Sequence, residues 1–128
     1  MTEDFVPFEL AEKLMLKGFN NPCIAYYDEG CLLYNTKYPF ALTAEELFIS
    51  HNSEYTWVDA PAISQVLKWL REEKRIHICM GYSDNLGFPW DYEVVLLDGA
   101  MYQNSESDFL SYEAAAIAGI TWALDNLI

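Results

Sequence analysis

Apolar side chains recur with helical spacing in three segments of the chain. After Pro61, whose fixed φ suits the first turn of a helix, they fall at the i, i+3, i+4 and i+7 positions of one helix face. The members of this stripe are Ile63, Val66, Leu67 and Leu70. Residues 7–18 carry a shorter stripe that ends at Gly18, and residues 111–127 begin at Ser111, a favourable N-cap. We therefore predict three helices.

Between these helices, apolar and polar residues alternate with the period of two that is typical of β-strands. Residues 23–27 and 31–34 flank the turn Asp28-Glu29-Gly30 and predict a β-hairpin. Residues 76–80 and 90–98 predict two further strands. We therefore predict an α+β fold with about four antiparallel strands in one sheet, in the order α-β-β-α-β-β-α, and with the helices packed on one face.

Two intervening segments lack a clear period. Residues 36–59 contain a capping box at Thr43 to Glu46, which predicts a brief helical turn, and then a short strand at residues 55–58. Residues 99–110 predict a loop, with a strand-like start at residues 100–102.

The length of 128 residues is that of one domain, so we expect residues 1–128 to form a single globular domain. Within it, residues 24–74 and 76–127 each predict strand, strand and helix at nearly equal pitch. We interpret this similarity as a pseudo-repeat.

Charge is distributed unevenly along the chain. The net charge is −13 at pH 7, and all seven Lys and Arg residues lie in residues 1–75. Residues 76–128 hold eight acidic residues and no Lys or Arg. Such a surface opposes phosphate backbones and anionic membranes, because it offers no cations to replace their counterions. We therefore expect a protein partner with a basic surface, and no direct binding to nucleic acid or membrane.

The three cysteines, Cys23, Cys31 and Cys79, are an odd number without paired spacing, so we expect reduced, buried thiols. The N-terminal segment has neither the basic start nor the apolar core of a secretory signal. No apolar run approaches the ~20 residues of a membrane helix. These features predict a soluble, cytoplasmic protein.

Four polar residues on the predicted strands are candidates for chemistry. His77 and Cys79 lie two residues apart and point to the same face, which suits half of a zinc site. Asp91 and Glu93 also share a face and lie beside His77 if the two strands pair, an arrangement that suits acid–base catalysis. An ordinary solvated strand face is the alternative for both pairs. Because the sequence identifies no further metal ligand or orienting group, we expect no metal and no cofactor.

Aromatic residues make up 16% of the chain. We expect most of them to pack in the core and some to lie on an interface, where aromatic side chains are enriched. The candidate interaction surface combines Tyr27 and Tyr34 with Asp91 and Glu93. Other aromatic residues that suit an exposed position are Tyr38, Phe40, Phe88 and Tyr102.

Three segments together resemble a family of small proteins seen in phages, prophages and mobile elements of gut bacteria. They read KGFNNPCIAYYDEG, APAISQVLKWLREEKRIHI and FLSYEAAAIAGITWALDNLI, with residues 41–54 as extra loop. The matching segments are structural, and no function or site residue is defined for the family. The resemblance implies an accessory protein that is encoded by mobile DNA and acts in the cytoplasm of a bacterial host.

The leading hypothesis for the function is a non-enzymatic protein–protein interaction module of the anti-defence, inhibitor or immunity type. One alternative is a small hydrolase or ligand-binding protein that uses His77 with Asp91 or Glu93. Another is a structural subunit of a virion or other assembly. The oligomeric state is open, with a homodimer as one alternative.

Overall fold

Helices and antiparallel strands occur together in the computed structural model, which confirms the predicted α+β class. The chain divides into two compact units, Met1–Ala62 and Ile63–Ile128. The parts of the chain that the structure describes are residues 4–21, 23–28, 31–34, 57–83 and 87–128.

The described part of the first unit holds one helix and one antiparallel sheet. Its elements are α1 (Phe8–Leu16), β1 (Ala25–Asp28), β2 (Cys31–Tyr34) and β3 (Trp57–Asp59). β1 lies in the middle of the sheet, so the strand order is β2-β1-β3. Tyr27 on β1 lies opposite Leu32 on β2 and opposite Val58 on β3. This register confirms the predicted hairpin.

Tyr27 holds the N-terminal segment against the sheet of the first unit. Its hydroxyl donates a hydrogen bond of 2.6 Å to the carbonyl oxygen of Val6. Its ring meets the ring of Phe8 edge to face, with 5.6 Å between centroids. Leu10 and Leu14 on the same helix are buried. Tyr27 is therefore a core residue of this unit.

The described part of the second unit holds two helices and a second antiparallel sheet. Its elements are α2 (Ile63–Glu73), β4 (Ile76–Tyr82), β5 (Trp90–Leu96), β6 (Met101–Phe109) and α3 (Tyr112–Asn126). The strand order is β4-β5-β6. The side chain of Ser111 accepts a hydrogen bond from the amide of Ala114, which confirms the predicted N-cap of α3. Of the helices described in the two units, none is long and apolar enough to cross a membrane.

One face of the second sheet is buried, and we call it the inner face. Its buried side chains occupy alternate positions of β4 and β5: Ile76, Ile78, Tyr92 and Val94. α3 lies against this face at Gly119, where an added Cβ would lie 2.8 Å from Cγ2 of Ile78 and 3.0 Å from Cδ1 of Tyr92. The missing side chain at Gly119 therefore allows the helix to approach the sheet closely.

The sheets differ from the prediction in number and in one strand. The described strands form two sheets of three instead of one sheet of about four. β6 occupies most of the segment that the sequence predicts as a loop, residues 99–110. Most of its side chains are polar, and most are exposed. It therefore lacks the apolar alternation that identifies strands in a sequence. Backbone pairing with β5 forms it instead.

The predictions for residues 36–59 are tested only at the end of that segment. Trp57 and Val58 lie in β3, which confirms the short strand there. The capping box at residues 43–46 lies outside the described residues. The single domain and its pseudo-repeat stay predictions.

Substitution of Gly119 by alanine tests the close approach of α3. Alanine favours a helix by about 1 kcal/mol relative to glycine. Crowding of Ile78 and Tyr92 opposes this gain, since overpacking a core typically costs ~1–3 kcal/mol. We expect the free energy of unfolding of Gly119→Ala, measured by urea denaturation, to fall by about 1 kcal/mol.

Gly81→Ala is the matched control for added volume. A Cβ at Gly81 would meet the movable carboxylate end of Asp91 rather than a packed core. We expect this variant to be at least as stable as the wild type. A Gly119→Ala variant that is equally stable or more stable would contradict the close packing of α3.

Candidate functional site

The candidate residues of β4 and β5 lie on the face opposite to the inner face, which we call the outer face. β4 and β5 pair without interruption, with Cys79 opposite Glu93 and Gly81 opposite Asp91. His77 is two positions from Cys79 and is therefore a diagonal neighbour of Glu93. It is four positions from Gly81, which separates it from Asp91 by about 13 Å along the strands. The register brings His77 near one of the two acids and not near the other.

A depression of about 270 Å³ lies over β5 and β6. Its lining residues are Asp91, Tyr92, Glu93, Ser105, Glu106 and Ser107. They supply three carboxyl groups and two serine hydroxyls, and none of them is basic. The two candidate acids thus line one depression, whereas His77 is not part of its lining. Such a lining attracts positive charge.

Gly81 provides the space that the carboxylate of Asp91 occupies. A Cβ added at Gly81 would clash with Oδ1 of Asp91 across the strand pair. The carboxylate therefore lies over the backbone of β4, next to the end of that strand at Tyr82. A residue with a side chain at position 81 would displace it.

Tyr92 fixes the position of Glu106 at the depression. Tyr92 is fully buried, and its hydroxyl donates a hydrogen bond to Oε2 of Glu106. The same hydroxyl accepts a hydrogen bond of 3.1 Å from Nδ2 of Asn104. Burial raises the pKa of Tyr92 above its usual value, and the hydrogen bond to Glu106 raises it further. The neutral phenol is therefore the form that joins β5 to β6.

Three aromatic rings form a row at one end of the second sheet, and we call Tyr82, Trp90 and Tyr112 the aromatic row. Tyr82 ends β4, Trp90 lies opposite it at the start of β5, and Tyr112 begins α3. Centroids are 5.2 Å apart for Tyr82 and Trp90 and 5.5 Å apart for Trp90 and Tyr112. Both contacts are edge to face, at 74° and 85°. Tyr82 is 68% exposed and Tyr112 is 38% exposed, so the two ends of the row face solvent.

Carboxylates and further apolar side chains lie at the same end of the sheet as the aromatic row. Asp91 follows Trp90 in β5 and points to the outer face, and Glu113 follows Tyr112 in α3. The neighbouring residues Phe88 and Leu110 are exposed as well. This end of the sheet therefore combines large apolar side chains with negative charge.

The structure supplies no complete metal site in the residues that it describes. There, no group of three or more His, Cys, Asp or Glu side chains is placed to hold a metal ion. His77 and Cys79 do lie two residues apart on β4, and Glu93 lies opposite Cys79. These three side chains are nevertheless not placed to hold a metal ion together.

The three cysteines are free, but they differ in exposure from the prediction. Cys23 is buried, and its pKa is raised by burial and, to a smaller extent, by the charge of Asp59. Cys31 and Cys79 are exposed, because Cys31 starts β2 after the hairpin turn and Cys79 lies on the outer face. The expectation of buried thiols is therefore confirmed for Cys23 and wrong for the other two.

The predicted interaction surface is divided by the structure. Tyr27 is buried, because its ring and hydroxyl complete the core of the first unit. Phe88 and Tyr102 are exposed, as the sequence predicts for them. The other aromatic residues of the prediction are Tyr34, Tyr38 and Phe40, and their side chains lie outside the described part of the chain.

Sequence reasoning missed the aromatic row and the contribution of β6 to the depression. Tyr82 continues the alternation of Ile78 and Met80, so extending the predicted strand by one period identifies it. Ser105 and Glu106 carried no comparable pattern, because β6 is polar on both faces. Their position depends on pairing with β5.

The chain matches no family model, no curated protein and no solved structure. The resemblance to proteins of phages and mobile elements therefore stays a prediction. A functional conclusion has to come from the side chains of the site itself.

Tyr92→Phe tests the bridge between β5 and β6. Loss of the hydroxyl removes the partner of Glu106 and Asn104, which typically costs about 1 kcal/mol. The pKa of Tyr92 is raised above the ordinary value of 10.0 in the folded protein, so its contribution is complete below pH 10 and is lost as the pH rises further. We expect urea denaturation to show a stability difference from the wild type that is constant near neutral pH and shrinks above pH 10.

Tyr102→Phe is the matched control for this experiment. The hydroxyl of Tyr102 is exposed and bonds to the Ser105 hydroxyl at 2.9 Å. We expect its removal to change stability little. An absent stability difference for Tyr92→Phe at neutral pH would show that the bridge has no stabilising role. A difference that grows above pH 10 would contradict the raised pKa of Tyr92.

Proposed function

We propose that the chain is a non-enzymatic protein–protein interaction module that binds a protein partner with a basic surface. Its binding surface consists of the aromatic row at the end of the second sheet and the carboxylates of Asp91 and Glu93 on the outer face of that sheet. The observation that carries this proposal is the exposure of aromatic rings at the end of a sheet whose outer face carries carboxylates, in a part of the chain without Lys or Arg.

The aromatic row supports an interaction role through its exposure. Tyrosine and tryptophan are enriched at interface centres, because they bury a large area and retain a polar group for hydrogen bonding. Tyr82 is 68% exposed and Leu110 is 70% exposed at the same end of the sheet. Adjoining exposed apolar side chains of this size indicate a surface that a binding partner covers.

The charge distribution supports a basic partner. Residues 76–128 carry eight acidic residues and no Lys or Arg. Three of these eight, Asp91, Glu93 and Glu106, line the depression. A field of one sign accelerates the approach of an oppositely charged protein, and added salt weakens this effect.

The proposed setting is the cytoplasm of a bacterial host, where the chain acts as an accessory protein of a phage or mobile element in an anti-defence, inhibitor or immunity role. The free thiols of Cys23, Cys31 and Cys79 support a reducing compartment. The three segments that resemble mobile-element proteins support the context.

The hydrolase alternative gains no comparable support. A general base has to reach its partner or substrate within hydrogen-bond distance. The depression includes Asp91 and Glu93 but not His77, and the register places His77 about 13 Å from Asp91. No feature of the described residues favours a virion subunit over an interaction module.

Affinity capture with matched variants tests the proposed function. The wild type, Tyr82→Leu/Tyr112→Leu and Asp91→Asn/Glu93→Gln are each immobilised and exposed to a lysate of a gut bacterium, and bound proteins are quantified by mass spectrometry. We expect one basic protein to be captured by the wild type in a salt-sensitive manner and to be depleted in both variants.

Two control variants remove two charges or one exposed ring elsewhere in the second unit. Glu72→Gln/Glu73→Gln removes two exposed charges from α2, and Tyr102→Leu removes an exposed ring at the other end of the sheet. We expect both controls to retain the partner. Capture of the same protein by all variants alike would reject the proposed surface.

A further inference from the structure

We infer that the aromatic row recognises arginine: the partner presents an arginine-bearing segment whose guanidinium groups stack on Tyr82 and Tyr112 and pair with Glu113. This inference rests on the proposed function and adds the side-chain chemistry of the partner. It follows from the geometry of the rings, from the adjacent carboxylate and from the charge of the chain.

The ring geometry favours a flat cation. Neighbouring rings meet edge to face at 74° and 85°, and the terminal rings of the row are exposed. A cation is attracted to the face of an aromatic ring. The guanidinium group is planar and weakly hydrated, so it stacks on such a face more readily than a strongly hydrated ammonium group.

The spacing of the rings disfavours an ammonium cage. Cages for lysine derivatives and other ammonium groups hold the cation between several ring faces. In the aromatic row, adjacent rings are already in contact, with centroids 5.2 and 5.5 Å apart. No space for an ammonium group remains between them, so a cation has to bind from outside the row.

One carboxylate adjoins the row on its own side of the sheet. Asp91 follows Trp90 in β5 and lies over Gly81, so it points to the outer face, away from the rings. Glu113 follows Tyr112 at the start of α3. Arginine pairs with a carboxylate through two parallel hydrogen bonds, which a lysine ammonium cannot reproduce. Glu113 is therefore the carboxylate that a guanidinium stacked on Tyr112 can pair with.

Charge argues for a foreign partner over a second copy of this chain. Each copy has a net charge of −13, and residues 76–128 contribute no Lys or Arg. Two such surfaces repel each other unless cations lie between them. An arginine-bearing protein segment relieves this repulsion instead of adding to it.

Paired synthetic peptides test the recognition of arginine. Two fluorescent peptides of identical length carry either arginine or lysine at every third position, with glycine and serine between. Fluorescence anisotropy measures their affinity for the wild type and for variants. We expect the arginine peptide to bind the wild type about five- to tenfold more tightly, as stacking of one or two guanidinium groups predicts.

The variants separate stacking from charge. Tyr82→Leu/Tyr112→Leu should remove the preference for arginine while binding of the lysine peptide changes little. Tyr82→Phe/Tyr112→Phe keeps the rings and should retain the preference. Glu113→Gln should weaken both peptides, and Tyr102→Leu should behave as the wild type. Circular dichroism verifies that each variant is folded.

The outcomes distinguish failure of this inference from failure of the proposed function. Equal, salt-sensitive binding of the two peptides overturns the arginine preference and leaves a basic partner in place. A preference that survives removal of both terminal rings overturns the role of the aromatic row. If light scattering shows a dimer of the wild type and Tyr82→Leu dissociates it, a second copy of the chain occupies the aromatic row. This result overturns the inference. Binding of neither peptide overturns it too, and the capture experiment then decides the proposed function alone.

Discussion

The packing of α3 on the second sheet at Gly119 is the contact on which the candidate site depends. Because the helix lies close to Ile78 and Tyr92, these residues define the inner face. Successive side chains of a strand point to opposite faces, so burial of Tyr92 directs Asp91 and Glu93 outward. The same packing brings the start of α3 to the end of the sheet, where Tyr112 meets Trp90.

This end of the second sheet carries both negative charge and exposed aromatic rings. Carboxylates on the outer face and at the strand ends create negative potential, and the four basic residues of this unit all lie between residues 68 and 75. Exposed rings at the same end of the sheet supply apolar area. In the proposed complex, charge steers a basic partner and aromatic contact supplies binding energy once water is excluded. This combination is the physical basis of the proposed interaction role.

The sequence predicted those features that side-chain burial encodes. The apolar stripe after Pro61, the alternation in β4 and the cap at Ser111 reflect burial or local hydrogen bonding, and each agrees with the structure. β6 was missed because its polar residues are held by backbone pairing, which leaves no apolar period. The aromatic row was missed for another reason. Its rings come from three elements, and their meeting depends on the register of β4 and β5 and on the position of α3.

The measurement that tests the central claim most directly is hydrogen–deuterium exchange on the chain with and without its captured basic partner. Amides at an interface exchange more slowly in the complex. The account predicts slower exchange in three segments of the second unit, residues 80–82, 90–93 and 111–113. Slower exchange confined to β1 and β2, with these three segments unchanged, would contradict it.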